Sequence, residues 1–286
     1  MQTKILYNKQ ILPLYYKIGI NWQPLPNIQP GQFVMLHFTN YIDPLLRRPF
    51  GVYRIIDEGI EILYKVVGKG TRLMTGLRQG DMVDMLGPLG NGFPNSLSSP
   101  FANGGQRGLN ILMVAGGIGI APFYLLAESC QLSAISLKLL FGGRGKDDLP
   151  DLEDFKKLDI AMEISTQDGS VGKKGLVTDL LKKEVTKKDD CVVYACGPKG
   201  MLKEVAKIAE DADVPCHVSL DNAMACGMGA CLGCAVKVRS QKSGVRGQGS
   251  EGLNIDPRSP IPDPVYKMVC KDGPVFDARE IEWEKV

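Results

Sequence analysis

Three cysteines, Cys226, Cys231 and Cys234, stand in the run Cys-Gly-Met-Gly-Ala-Cys-Leu-Gly-Cys, and Cys270 follows at a distance. The spacing C-x4-C-x2-C with a remote fourth cysteine is the ligand pattern of a plant-type [2Fe–2S] cluster, in which four thiolates hold two irons. Small residues suit such a loop. Gly227, Gly229, Ala230 and Gly233 let the backbone pass close to an inorganic core and aim N–H groups at sulfur. Two other readings use the same residues. A zinc site usually pairs two C-x2-C-like knuckles, whereas three of these cysteines crowd one loop. Disulfides belong to exported chains, and residues 1–20 mix Lys4, Lys9 and Lys17 with Asn8, Gln10 and Pro13, leaving no apolar stretch of signal-peptide or spanning length. The expectation is a cytoplasmic protein whose eight cysteines are metal ligands or free thiols. Cys130, Cys191, Cys196 and Cys216 lie in or beside apolar segments and read as core residues.

A second pattern is glycine at the ends of apolar runs. Gly116-Gly117-Ile118-Gly119-Ile120-Ala121-Pro122 follows one such run and precedes a helix, where glycines let a pyrophosphate approach the backbone and the helix N-terminus offers N–H donors. The segment departs from G-x-G-x-x-G at its end, and a glycine turn can also be mere punctuation. Gly142-Gly143-Arg144 and Gly197-Pro198 end two further runs, so all three would line one edge of a parallel sheet, where ligands bind in open α/β folds. Asp147 and Asp148 follow the second run. A carboxylate there would bond ribose hydroxyls and repel a 2′-phosphate, favouring NAD over NADP, while Arg144 argues the other way and a solvated, helix-capping turn is the plain alternative. Arg48-Pro49-Phe50-Gly51 offers a cation for a phosphate and a backbone for a flat ring, or simply an exposed strand start. Gly70-Thr71 would bind phosphate or cap a helix. With only His37 and His217, and no nucleophile elbow or Ser/His/Asp set, hydrolysis and acyl transfer have little support; cofactor redox chemistry fits better.

The elements that must hold these residues fall into three blocks. At 286 residues the chain is long for one domain and comfortable for two or three, and a net charge of +2 gives no support for nucleic acid as a partner. Residues 4–7, 15–20, 32–38, 52–56, 60–67 and 82–87 read as short strands broken by Pro, Gly and Asn, with one helix over 71–77, which suggests an antiparallel barrel or sandwich. A Ser, Pro, Asn and Gly stretch at 96–108 reads as a linker. Strands are then expected at 109–115, 137–141, 160–165 and 191–196, with helices from Pro122 towards Cys130 and across Met201, Leu202, Val205, Ala206, Ile208 and Ala209. That alternation implies a parallel, doubly wound sheet. From Cys216 the chain looks irregular, with a long mobile loop over 239–264.

Taken in order, Arg48 to Gly51, Gly70-Thr71, Gly116 to Pro122 and Ala195-Cys196-Gly197-Pro198 resemble the flavin and pyridine-nucleotide motifs of the ferredoxin reductase superfamily. The run Ser219-Leu220-Asp221-Asn222-Ala223-Met224-Ala225-Cys226, with Val269-Cys270-Lys271-Asp272-Gly273-Pro274-Val275-Phe276, is similar to the electron transfer subunits of two-subunit, NAD-linked dihydroorotate dehydrogenases. The resemblance implies a multidomain β + α/β protein: an FAD-binding β-barrel over 1–102, an NAD-binding α/β domain over 103–215 and a [2Fe–2S] domain over 216–286. It implies flavin contacts at Arg48, Pro49, Phe50, Gly51, Leu63, Tyr64, Lys65, Gly70 and Thr71, and nucleotide contacts at Gly116, Gly117, Gly119, Pro122, Gly142, Arg144, Gly197 and Pro198. Cys196 falls where the family places a residue near the nicotinamide, and a buried core thiol is its plain alternative. The implied partner is an FMN-containing catalytic subunit, two of each chain forming a heterotetramer. Relatives serving other partners, as sulfide dehydrogenase, NADH-dependent ferredoxin:NADP oxidoreductase or hydrogenase subunits, share the flavin and nucleotide motifs. Two departures stand out: Gly51 replaces the family's usual Ser, and the interval before Cys270 is unusually long.

Overall fold

The computed structural model describes residues 1–38, 43–94, 110–131, 135–186, 191–239 and 265–285. The expected linker at 96–108 and all but the first residue of the expected loop at 239–264 lie outside them.

The first block is an antiparallel barrel of β1 (Gln2–Leu12), β2 (Tyr15–Asn21), β3 (Phe33–Phe38), β4 (Arg48–Gly51), β5 (Arg54–Ile56), β6 (Gly59–Lys65) and β7 (Met82–Leu89), ordered β4-β3-β7-β1-β2-β6-β5. Strand β1 turns the corner: Gln2 to Lys4 pair with β7, and from Ile5 onward it pairs with β2, with register shifts between Ile5 and Tyr7 and between Gln10 and Leu12. Closure comes from the β4–β5 junction, where Val52 N–H donates to Gln32 O and Tyr53 N–H to Glu61 O, each at 3.0 Å. Alternation along β3 decides which side faces what. Val34, Leu36 and Phe38 fill the barrel, while Phe33 and Met35 face outward into a second core. β4 was not among the expected strands, because four residues containing Arg and Pro carry no alternating pattern. The first helix, α1 (Lys69–Met74), starts before the expected 71 and ends before Leu77; Thr75 and Gly76 close it with N–H bonds to Arg72 O and Leu73 O.

The second block alternates β8 (Asn110–Gly116), α2 (Ala121–Cys130), β9 (Ser136–Gly143), α3 (Leu152–Lys156), β10 (Ala161–Thr166), β11 (Lys173–Lys174), α4 (Val177–Val185), β12 (Cys191–Cys196), α5 (Lys199–Asp211) and β13 (Cys216–Ser219). The strands form a parallel sheet in the order β11-β10-β9-β8-β12-β13. The chain winds outward from β8 through β9 and β10, then returns to the other side of β8 with β12, so the switch point lies between β8 and β12. α4 was not anticipated, although Val177, Leu180, Leu181 and Val185 repeat at helical spacing and are buried.

The expectation of irregular chain from Cys216 is corrected. β13 extends the parallel sheet, β14 (Ala235–Val238) and β15 (Val265–Met268) form an antiparallel pair, and β16 (Val275–Asp277) adds to β13 in antiparallel sense. Strands of three or four residues are too short to show a period in sequence. No helix of the described residues is long and apolar enough to cross a membrane.

Candidate functional site

The β14–β15 pairing places the cysteines. Cys234 immediately precedes β14 and Cys270 lies just past β15; Ala235 faces Met268, Val269 N–H reaches Cys234 O at 3.2 Å and Cys270 N–H reaches Cys234 Sγ at 3.4 Å. Hairpin register therefore brings the fourth cysteine to the third whatever the length of chain between the strands. The loop between Cys226 and Cys234 turns through left-handed Gly227 (φ +75°), Gly229 (φ +83°) and Leu232 (φ +58°). It aims Met228 N–H and Ala230 N–H at Cys226 Sγ, 3.4 and 3.3 Å away, and Gly229 N–H at Cys270 Sγ, 3.1 Å away. Those donors, Met228's first, hold the Cys226 thiol down at about 6, while burial pushes Cys270 up and Cys234 beside it adds to the rise. Among the described residues no three His, Cys, Asp or Glu are placed to hold a single metal ion. N–H donors on sulfur and no Cβ at Gly227 or Gly229 fit a [2Fe–2S] cluster.

The inner pair, Cys234 and Cys270, is buried in the core that also takes Phe33 and Met35 from the barrel. Contact is tight: a Cβ on Gly227 would lie 2.7 Å from Met35 Cγ and 3.4 Å from Leu89 Cδ1. Met35, which meets the cysteine loop at Gly227, stands opposite Pro49 in the β3–β4 register.

On β4, Arg48, Pro49, Phe50 and Gly51 are all half-buried. Arg48 donates through Nη1 to Leu46 O at 2.6 Å, lies against Gly70 at the start of α1, and pairs with no carboxylate among the described residues. Phe50 meets Tyr64 edge to face at 6.2 Å, and a Cβ at Gly51 or Gly68 would meet nothing within 4 Å. A cation without a counterion beside open space suits a phosphate-bearing ligand with a flat ring. Leu63 and Tyr64 are buried on β6. Thr71 Oγ1 accepts from Val67 N–H at 2.9 Å and Gly68 N–H at 3.1 Å, which is the capping role.

At the carboxyl edge of the parallel sheet, Gly116 stands opposite Gly142, Cys196 opposite Ala115 and Ser219 opposite Cys196. The three glycine-bearing strand ends do share one edge. Their glycines, however, are used by the protein's own packing: a Cβ on Gly119 would sit 2.1 Å from Cys196 O, on Gly116 2.7 Å from Met201 Sδ, on Gly142 2.7 Å from Val177 Cβ. Pro122 lies in the first turn of α2 and is buried. Burial pushes the Cys196 thiol up to about 12, only partly opposed by a hydrogen bond with Ser219, so it is a neutral thiol at the switch point. Past β13, Asn222 keeps a buried Oδ1 with no hydrogen-bond partner among the described residues.

Sequence reasoning missed what Asp148 does. It does not cap α3, whose N-cap is Asp151. Its carboxylate accepts from Tyr15 OH and Lys65 Nζ on the barrel, and from Arg144 N–H and Nε at 3.4 Å each. Lys65, expected at the flavin, thus spends its ammonium on Asp148. Farther along, Lys17 pairs with Asp151 at 2.5 Å and Asp154 at 2.7 Å, Arg54 with Glu61 at 2.9 Å, and Tyr53 OH donates to Asp151. The residues at 148, 151 and 154 thus join the two blocks by a row of carboxylates on barrel cations.

Comparison with known proteins agrees with this geometry. Residues 113–207 match the oxidoreductase NAD-binding domain model, and residues 221–248 match the iron–sulfur cluster binding domain of dihydroorotate dehydrogenase B. The dihydroorotate dehydrogenase B (NAD(+)) electron transfer subunit of Caldanaerobacter subterraneus subsp. tengcongensis is 36% identical over 98% of this chain and 98% of its own. That of Desulforamulus reducens is 36% identical over 99% of this chain and 98% of its own. Among solved structures, the NADH-dependent reduced ferredoxin-NADP oxidoreductase superposes with a TM-score of 0.77 at 28% identity, covering 99% of this chain and 90% of that one. The Neisseria gonorrhoeae ferredoxin NADP+ reductase, solved with FAD and NADP, shares the fold at 19% identity and a TM-score of 0.63, over 78% of this chain and 92% of its own. With paired cysteines on a hairpin, a barrel and a doubly wound sheet in one chain, and relatives matching from end to end, the chain belongs to the family of dihydroorotate dehydrogenase B (NAD(+)) electron transfer subunits.

Proposed function

We propose that this chain carries electrons between a separate dihydroorotate-oxidising subunit and NAD+, through a [2Fe–2S] cluster held by Cys226, Cys231, Cys234 and Cys270 and an FAD held on the barrel. A flavin exchanges a hydride with nicotinamide and single electrons with a cluster, which makes the pair a converter between two-electron and one-electron chemistry. The observation that carries the reading is the seating of the cysteine loop on Met35, which is itself opposite Pro49 of the flavin strand. Met35 thus stands between the cysteine loop and the strand proposed to hold the flavin.

The protein's own residues have distinct tasks. Arg48 supplies the charge for the flavin's pyrophosphate, with Gly70 leaving room for its guanidinium. Pro49, Phe50, Gly51, Leu63 and Tyr64 form the wall for its ring and ribityl chain. Gly51 leaves open the volume that a serine side chain would occupy, so backbone groups hold the flavin there. Gly116, Gly117, Gly119, Pro122, Gly142, Arg144, Gly197 and Pro198 shape the crevice for NAD, and the neutral Cys196 thiol faces the nicotinamide without acting as a nucleophile. Exposed Met228 and Leu232 on the cysteine loop are where we place the catalytic subunit, itself FMN-containing, in a cytoplasmic heterotetramer of two of each chain.

The isolated chain is expected to bind flavin, show cluster absorbance and oxidise NADH with ferricyanide, yet not to turn over dihydroorotate. Dihydroorotate oxidation by the chain alone would overturn the subunit assignment. The likeness to the ferredoxin-NADP oxidoreductase favours a second reading, in which the same relay serves a different partner; co-purification from the native host separates the two.

A further inference from the structure

We propose that Asp148 is a positioning residue for hydride transfer: it fixes the nucleotide-binding sheet relative to the flavin strand, so that nicotinamide and flavin meet at reacting distance. The inference rests on the proposed flavin and NAD reading and goes beyond it by assigning a task to a residue outside either binding surface.

Asp148 joins elements of both blocks. Lys65 ends β6 directly after Leu63 and Tyr64, the residues placed against the flavin, and its ammonium is committed to Asp148. Tyr15 opens β2, faces Lys65 across the β2–β6 register, lies 4.8 Å beneath the Lys65 ammonium by its ring centroid and is fully buried, with its hydroxyl also donated to Asp148. On the other side, Asp148 accepts from the backbone and side chain of Arg144, which directly follows β9 at the nucleotide edge. Gly117, in the turn after β8, lies over the same carboxylate, a Cβ there falling 3.6 Å from both of its oxygens and 3.5 Å from Tyr15 Oη. One carboxylate thus gathers the end of a flavin strand and two loops of the nucleotide crevice.

The charge is held in place. Burial works against it, but hydrogen bonds from Lys65 and Tyr15 outweigh burial and keep Asp148 below the usual carboxylate range. The neighbouring contacts of Asp151 and Asp154 with Lys17 and Tyr53 lie farther along the interface and resist separation of the two blocks. Asp148 is the member that reaches the site. Hydride transfer depends steeply on placement, and a shift of about 1 Å costs on the order of a hundredfold in rate.

The test uses the complete chain with its cofactors. Asp148→Asn keeps the shape and removes the charge; Tyr15→Phe keeps the ring and removes one hydrogen bond. Flavin content, iron content and NADH affinity are measured first, then flavin reduction by NADH in single turnover, then the long-wavelength absorbance of NAD+ stacked on reduced flavin. The expected result for Asp148→Asn is unchanged cofactor content, NADH affinity within about twofold, and a reduction rate lower by about tenfold to a hundredfold, with the stacking absorbance weakened. Asp148→Glu, which retains the charge, should recover part of both. A variant that melts earlier but keeps the wild-type rate and absorbance overturns the proposal, because the contact would then serve stability alone. Loss of NADH affinity with a normal rate at saturation overturns it too, making Asp148 a binding residue. Should Asp148→Asn fail to fold, Tyr15→Phe decides: a slower rate with unchanged affinity supports positioning, and a wild-type rate refutes it. Failure of the underlying reading would look different, since the wild-type chain itself would then bind no flavin or leave NADH untouched.

Discussion

Replacing Gly119 with alanine probes the contact between the two strand ends that frame the nucleotide crevice. An ideal Cβ at Gly119 would lie 2.1 Å from Cys196 O, 2.4 Å from its carbonyl carbon and 2.7 Å from Gly197 N. Ordinary C···O contacts are about 3.3–3.6 Å, so the groups must part by roughly 1.2 Å or more. All three obstructing atoms are backbone, and Cys196 is fixed in register with Ala115 on β8 and Ser219 on β13, so no side-chain rotation relieves the clash. The Gly119 backbone is not left-handed, which makes the cost steric alone. Over-packing of this kind costs about 1–3 kcal/mol, and rigid neighbours on both sides put the expectation near the top of that range. Urea unfolding followed by far-ultraviolet circular dichroism reads it directly. Gly200→Ala on α5 is the control: a Cβ there meets nothing within 4 Å, so stability should hold or rise by about 0.5–1 kcal/mol. Because the displaced atoms include Cys196 and Gly197, NADH oxidation should slow in Gly119→Ala with flavin content intact. A Gly119→Ala protein as stable as wild type to within about 0.5 kcal/mol would refute the packing argument.

Three other outcomes are expected. Cys270→Ser should lose cluster iron and its visible absorbance while keeping flavin; full iron content would show another fourth ligand, although Cys216, buried in β13 with its thiol pushed up to about 12, is poorly suited. In cluster-free protein at pH 7.5, iodoacetamide should modify Cys226, lowered to about 6, before both the exposed Cys231 and Cys196, pushed up to about 12; mass spectrometry showing Cys226 labelled no faster than Cys231 would mean that the loop N–H groups do not act on it. Burial opposes the charge on Asp154, but Lys157 and Lys17 hold it at about 2; this depressed value stabilises the fold fully above an unfolded value of about 3.9 and loses that contribution as pH falls through about 2. After solvent screening the loss should be of order 1–2 kcal/mol, and Lys17→Met should flatten the urea-midpoint profile over that window; an unaltered slope would exclude the pairing as its source.

Some of this was legible in sequence and some was not, for identifiable reasons. The cysteine spacing and the glycine-ended apolar runs are local patterns, and both fall where the sequence placed them: one loop, and one sheet edge. The use of those glycines was not legible, because Gly119 answers to the Cys196 carbonyl and Gly142 to Val177, contacts made only once the sheet is wound. Asp148 shows the limit most clearly. Its partners Tyr15 and Lys65 lie 133 and 83 residues away, so no window around Asp147-Asp148 distinguishes a ribose ligand from an interdomain tie. The long interval before Cys270 looked like a threat to the fourth ligand, yet pairing of β14 with β15 makes its length immaterial. Strands β4 and β13 to β16 were invisible for want of length, and they draw their stability from the sheets they join.

The central claim is a relay whose two ends need different partners. The direct measurement is dihydroorotate-dependent NAD+ reduction, followed by NADH absorbance, for the purified chain alone and after addition of the catalytic subunit with which it co-purifies. NADH formation that requires both chains, and that disappears in Cys270→Ser while NADH oxidation by ferricyanide persists, is the predicted result. Undiminished NADH formation with the cluster-free variant would contradict the relay.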